Sequence, residues 1–293
     1  MGFLHVDTKD IYAKGTYSRL CVDAGLLDNF AEPIEEVLEK ALGRICDIDS
    51  RRWLGFLLDI IEHAENLDLT RLFDWQIRML EMFQFTVWQK SAEECGFTSL
   101  KEGLLQIKTS PVMCAELVEL LQYNLDKIDF LDKTVAMGFD CPLDLYCSYT
   151  TKQTLIAMDY LKPFREGVKY FADKKVDAFF ITLNKADKDY SPTTMYDDYS
   201  INDTLFHWQS QSGTSDTSPT GQRYINHKKL GTKVLLFVRE YKTDKKGNAS
   251  PYTFLGLANF VSYEGSKPMN IVWKLEEPIP AKFLKKTNKL VSV

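Results

Sequence analysis

The spacing of apolar residues changes once along this chain, near Cys141 and Pro142, and that change limits the fold more than any other feature. Before it, Leu72, Trp75, Met79, Phe83 and Val87 recur at spacings of three and four, which places them on one face of a helix. Trp53, Leu57, Ile60 and Ile61 form a second stripe, and Leu117, Leu120, Leu121 and Leu125 a third. Pro33 just ahead of Glu35 marks one helix start, and Ser110 with Pro111 marks another. A serine hydroxyl there accepts a bond from a free backbone N–H, and proline fills the first turn, where no donor is needed. Stripes of this kind form the core of an α-helical bundle, with the acidic remainder as its solvated outside.

After the change, a short helix from about Thr151 to Leu161 leads into β runs. These are Val176 to Leu183, Thr204 to Gln211, Lys233 to Tyr241, Tyr252 to Tyr263, and Met269 to Leu275. They are rich in β-branched and aromatic residues, and polar stretches such as Asp244 to Pro251 and Glu264 to Pro268 separate them. Strands at this spacing suggest a small barrel, because closure removes exposed edges. The expected class is α+β, with an all-α domain over residues 1–147 and a β-barrel over 148–293.

Charge divides at the same place. The formal net charge of −5 is the sum of −12 up to Cys147 and +7 from Ser148 onward, so only the second part suits a polyanion. Cys21, Cys46, Cys95, Cys114, Cys141 and Cys147 contain no C-x-x-C pair, as expected of core thiols in a reducing compartment. No run approaches the roughly 18 apolar residues of a membrane span, and no signal peptide is evident, so a soluble, cytoplasmic protein without a membrane partner is expected.

The segment from Tyr190 to His227 carries the densest functional chemistry. Its middle, Ser210 to Gln222, has almost no large apolar residue, so its polar groups are expected to face water or a ligand. Arg223, Lys228 and Lys229, with Gln222 beside them, suit a DNA backbone. Gln209 and Gln211 suit a base edge, and Tyr196, Trp208 or Tyr224 can stack on an extruded base. Alternation along the strand sends Phe206 and Trp208 to one face and His207 and Gln209 to the other, so Trp208 has an equally good reading as a core aromatic, as has Trp273.

Other chemistries are thinly represented. Glu240, Tyr241 and Lys242 form an E-x-K end to a strand, and Asp216 or Asp198 would complete a metal-dependent nuclease, although an exposed strand end explains the tripeptide as well. His207 and His227 have no neighbours at metal-ligand spacing, so no metal and no cofactor are expected. No Walker-type phosphate loop occurs. A reader of single-stranded RNA and a purely structural interaction module remain open alternatives.

The run Phe206-His207-Trp208-Gln209-Ser210-Gln211-Ser212, followed by Ser218-Pro219-Thr220-Gly221-Gln222-Arg223-Tyr224-Ile225, resembles the C-terminal region of SauUSI-like type IV restriction enzymes. Those bacterial proteins join a phospholipase-D-type nuclease, a superfamily II helicase core and a terminal domain of unknown function, and they cut DNA carrying modified cytosine. Phe179 to Lys185, Tyr190-Ser191-Pro192 and Leu235 to Arg239 support the resemblance, which is strong from about Val168 to Pro280. It implies a PUA/SRA-like barrel that recognises double-stranded DNA with a modified cytosine such as 5-methylcytosine. It also implies helicase and nuclease domains elsewhere in the parent polypeptide, a helical linker in the first half, and a chain that is a fragment with no catalytic residues of its own.

Overall fold

The computed structural model describes residues 7–184, 198–244 and 247–287, and within it the chain divides into two compact units, Met1–Leu161 and Lys162–Val293. The first unit is helical, with α1 (Thr8–Tyr12), α2 (Tyr17–Asp23), α3 (Glu35–Ile45), α4 (Arg51–Glu62), α5 (Asp74–Trp88), α6 (Leu100–Lys108), α7 (Pro111–Lys127), the short strand β1 (Ser148–Tyr149) and α8 (Thr151–Ala157). Most of each stripe is buried as its spacing predicts: Trp53, Leu57, Ile60 and Ile61 of α4, Met79, Phe83 and Val87 of α5, and Leu117, Leu120 and Leu121 of α7, whereas Trp75 and Leu125 are half-buried and Leu72 precedes α5. The Trp53 indole N–H donates to the Met79 carbonyl at 3.1 Å, so this central ring carries no unpaired donor. The unit extends past Cys147 because α8 packs on α5, where the Gln153 amide donates to the Thr86 hydroxyl at 2.9 Å.

Helix α7 starts at Pro111 as predicted, but the Ser110 hydroxyl does not cap it. That oxygen accepts instead from the Ile34 N–H, while the Glu32 carboxylate takes the free N–H groups of Val112 and Met113 at 2.7 and 3.0 Å. Glu116, on α7, does the same for α2, accepting from Tyr17 and Ser18 at 2.7 and 2.9 Å. A carboxylate at a helix N-terminus satisfies orphan donors and meets the positive end of the helix dipole.

The second unit is a seven-strand sheet in the order β2-β3-β6-β7-β8-β5-β4, with helices α9 (Pro219–Ile225), α10 (His227–Leu230) and α11 (Ala281–Thr287). Its strands are β2 (Val168–Phe171), β3 (Val176–Asn184), β4 (Tyr199–Ser200), β5 (Leu205–Gln209), β6 (Lys233–Tyr241), β7 (Tyr252–Glu264) and β8 (Asn270–Leu275). Along that order each pairing is antiparallel except β3 with β6. The molecule is thus α+β, with a large mixed sheet following the helices. A closed barrel was expected; among the described residues these seven strands pair as an open path from β2 to β4.

Strand β7 bends that path. Its first part pairs with β6 through Thr253–Ala258 and its second with β8 through Ala258–Glu264, with irregularities at Leu236/Phe237 and Phe260/Ser262. Such bulges add local twist and turn a flat sheet into a coiled one. Alternation along β3 gives each sheet face its own aromatic cluster. Phe180 joins Phe164, Phe237, Tyr252 and Phe254 on one side, and Phe179 joins Trp208, Tyr224 and Trp273 on the other.

Replacing Glu116 by Ala is expected to lower the stability of the helical unit by about 1–3 kcal/mol, because two N–H groups at the start of α2 lose their acceptor. Urea unfolding of the full chain followed by far-ultraviolet circular dichroism measures this.

Candidate functional site

Helices α9 and α10 cover the Phe179 side of the sheet, and most residues singled out from the sequence lie on or beneath them. Helix α9 forms where the sequence pairs Ser218 with Pro219. The Ser218 hydroxyl accepts from the Gly221 N–H at 3.1 Å and donates to the Ser215 carbonyl at 2.6 Å, while proline occupies the first turn. Gly221 is required by contact: a Cβ there would stand 2.0 Å from the Ser215 carbonyl oxygen and 3.0 Å from the Met269 sulfur.

The polar stretch ahead of α9 is therefore less open than its composition suggests. Ser210, Thr214 and Ser215 are buried. Ser210 exchanges bonds with Met269 at 2.9 Å through its backbone N–H and its hydroxyl, and the Thr214 carbonyl accepts from Lys267 at 3.1 Å. Asp216 accepts from the Ser266 and Tyr263 hydroxyls at 3.0 and 3.4 Å, which fastens the stretch to the tip of the β7–β8 hairpin.

Arg223 was expected to hold phosphate and is occupied otherwise. Its Nε and Nη2 donate to the Asp177 carboxylate at 2.7 and 2.9 Å, and its guanidinium lies 3.9 Å from the centre of the Tyr170 ring. Asp177 is fully buried on β3. Burial pushes its carboxyl pKa up from the ordinary range, and Arg223 beside it pulls the other way.

Trp208 takes its packing role, stacked on Phe179 with centroids 4.1 Å apart and meeting Tyr224 edge-on at 5.6 Å. Tyr224 is buried as well, so neither ring offers an open stacking surface here. Tyr196 lies outside the described residues. Gln209 faces away from Trp208, as alternation predicts, and its amide donates to Asn270 at 3.1 Å. Gln211 is half-exposed, with its carbonyl accepting from Thr214 at 2.9 Å. Gln222, Lys228 and Lys229 are exposed, so the structure places these three on the outer surface of α9 and α10.

Sequence reasoning left Trp273 undecided and did not foresee its relation to Tyr224. The two rings are crossed at 78° with centroids 6.4 Å apart, and both are buried. The Tyr224 hydroxyl and the Trp273 indole N–H have no hydrogen-bond partner among the described residues. Each buried, unpaired group of this kind costs about 1–3 kcal/mol. Burial also raises the Tyr224 phenol pKa, so it stays a neutral donor. His227, beside Trp273, is fully committed: Nδ1–H donates to the Thr232 carbonyl at 3.1 Å and Nε2 accepts from the Phe260 N–H at 3.0 Å. Burial lowers its pKa, consistent with this neutral tautomer.

The nuclease residues are not assembled. Glu240 lies near the end of β6, Lys242 is exposed beyond it, Asp216 serves the hairpin, and buried Asp198 accepts from the Gln209 N–H at 2.9 Å. Among the described residues no three His, Cys, Asp or Glu side chains are grouped to hold a metal, and no helix is long and apolar enough to cross a membrane. All six cysteines are free thiols.

Residues 143–286 match a family described as a domain of unknown function (DUF3427), a match that begins close to the change in apolar spacing. No curated protein matches the chain. Among solved structures it is similar to SUVH6 of Arabidopsis thaliana in complex with SAM, at 14% identity and a TM-score of 0.30, over 83% of this chain. The chain spans 40% of that protein's resolved length, and a likeness so slight carries no argument.

Arg223→Ala is expected to destabilise the second unit by about 3–5 kcal/mol by leaving Asp177 buried without its counter-charge. Lys228→Ala and Lys229→Ala should stay within about 0.5 kcal/mol of the parent, as exposed substitutions do. Denaturant midpoints with unchanged slopes decide the comparison. His227 supplies a pH dependence of known sign. Its folded pKa is depressed, so its contribution is complete above the unfolded value of about 6.5 and is lost as pH falls below that, at up to about 1.4 kcal/mol per pH unit. Thermal melts at pH 7.5 and pH 5.5 should show the loss, and His227→Gln should show less of it.

Proposed function

We propose that residues 162–293 form a DNA-recognition unit that reads modified cytosine, such as 5-methylcytosine, in double-stranded DNA by extruding the base. In this reading the unit has a PUA/SRA-like core and serves a modification-dependent, type IV restriction enzyme whose nuclease and helicase lie elsewhere in the parent polypeptide. The chain itself performs no chemistry, and the acidic helical unit couples recognition to the motor. The finer fold name draws support from the coiling of the sheet about β7.

The observation that carries the reading is a layering within the basic half of the sequence. Exposed Lys228, Lys229 and Gln222 lie on two short helices, and beneath those helices an aromatic cluster holds two donors with nothing to bond among the described residues. Cations outside and ring surfaces with free donors inside are the two chemistries an extruded base requires. The sequence resemblance favours modified cytosine as the base. Phosphate contact passes in this reading from Arg223 to Lys228 and Lys229, and Trp208 supports the cluster from below.

The test is a salt series of binding isotherms with the full chain and matched duplexes, with and without 5-methylcytosine. Tighter binding of the modified duplex is expected, and equal affinity would leave plain DNA binding. Loss of Lys228 or Lys229 should weaken both duplexes alike and flatten the log–log salt dependence by about 0.9 for each phosphate contact removed. Absence of salt-dependent binding removes DNA as the partner.

A further inference from the structure

We infer that the Tyr224 hydroxyl and the Trp273 indole N–H together form the base-binding site, acting as a pair of hydrogen-bond donors to a flat, uncharged pyrimidine. The inference rests on the DNA reading above and changes what these residues do in it: they hold the base edge, where stacking alone had been expected of Tyr224.

The two atoms are the buried side-chain polar groups that lack any partner among the described residues, and they belong to one cluster, with ring centroids 6.4 Å apart. Phenylalanine at position 224 would keep the packing and remove one of the two defects. The fold elsewhere does satisfy a buried indole, since Trp53 donates to Met79. Nor can neighbours be recruited: His227 is bonded through both ring nitrogens, and Asp177 is held by Arg223. Paired unsatisfied donors in one place mark a site completed by a ligand that accepts.

The surroundings specify which acceptor. Phe179 and Trp208, stacked on each other, wall the cluster with apolar rings, so a ligand that reaches the two donors must be thin and planar. Arg223 reaches the Tyr224 ring at 5.5 Å but is neutralised by Asp177, so an anion gains little there. The pairing edge of cytosine presents a ring nitrogen and a carbonyl oxygen side by side, two acceptors for two donors, and a 5-methyl group on the far edge would meet apolar ring surface. Entry requires α9 and α10 to lift from the sheet, which breaks the Arg223–Asp177 pair and the His227–Phe260 bond, and then to settle again with Tyr224 beside the base. They are short helices of seven and four residues, and the lysines on their outer surface are placed to be drawn toward phosphate.

The experiment compares the full chain with Tyr224→Phe and Trp273→Phe, each titrated with a duplex containing one 5-methylcytosine and with its unmodified twin. Both variants should bind the modified duplex about tenfold more weakly than the parent, the worth of one hydrogen bond, and should weaken binding of the unmodified duplex alike wherever its cytosine is extruded, since the ring nitrogen and carbonyl oxygen are common to both bases. Tyr224→Phe should also melt at a higher temperature without DNA, since it removes an unpaired hydroxyl. A parent chain that shows no preference overturns the modified-cytosine reading and this inference with it. A parent that prefers the modified duplex while Tyr224→Phe binds that duplex with the parent's affinity overturns this inference alone. Should Trp273→Phe fail to fold, Tyr224→Phe, which lacks a single oxygen atom, decides the matter.

Discussion

A carboxylate with no access to water sets the terms for the second unit. Asp177 sits in the strand that pairs in parallel with β6, and β3 is buried through most of its length on both faces. Charge in that position is tolerated only with a partner of good geometry. The guanidinium of Arg223 provides it, and in the absence of DNA this sets one turn of helix over the sheet. Tyr224 follows in the chain and is carried against Phe179 and Trp208. The next helix then brings His227 to Trp273, and the outward surface receives its lysines as a result. The same pair commits two of the Arg223 donors to Asp177.

Much of this is legible in the sequence. The strand from Lys233 to Tyr241 has the bounds its composition predicts, and the one from Tyr252 extends a single residue past its expected end to Glu264. Long, strongly periodic segments announce themselves because tertiary packing and local preference agree in them. Alternation also separated Trp208 from Gln209 correctly. The short strands Val168–Phe171 and Tyr199–Ser200 were not foreseen, since pieces of that length owe their conformation to neighbours supplied by the rest of the sheet.

The miss that mattered was α9. Ser218-Pro219 is the same helix-start signal that was recognised at Ser110-Pro111, yet the surrounding Ser, Thr and Gly made the stretch look like an open loop. The two sites then differ in an instructive way. Ser218 caps its helix directly, whereas the Ser110 hydroxyl turns to Ile34 and leaves capping to Glu32, distant in sequence. A local signal located both helices but could not say which oxygen would serve them. The aromatic cluster was half legible: its members were named, and their depth was not, because depth follows from Asp177 and Gly221, whose significance lies in what approaches them in space.

Strand β7 belongs to two neighbours in succession, β6 along its first part and β8 along its second. Neither half of the sheet owns a complete set of edges without it. Separating the two halves must break one of the two ladders of β7, and amide protons in β3 and in β8 should exchange with solvent through a common opening event. A sheet held in this way behaves as a single cooperative element from its covered centre to the exposed hairpin.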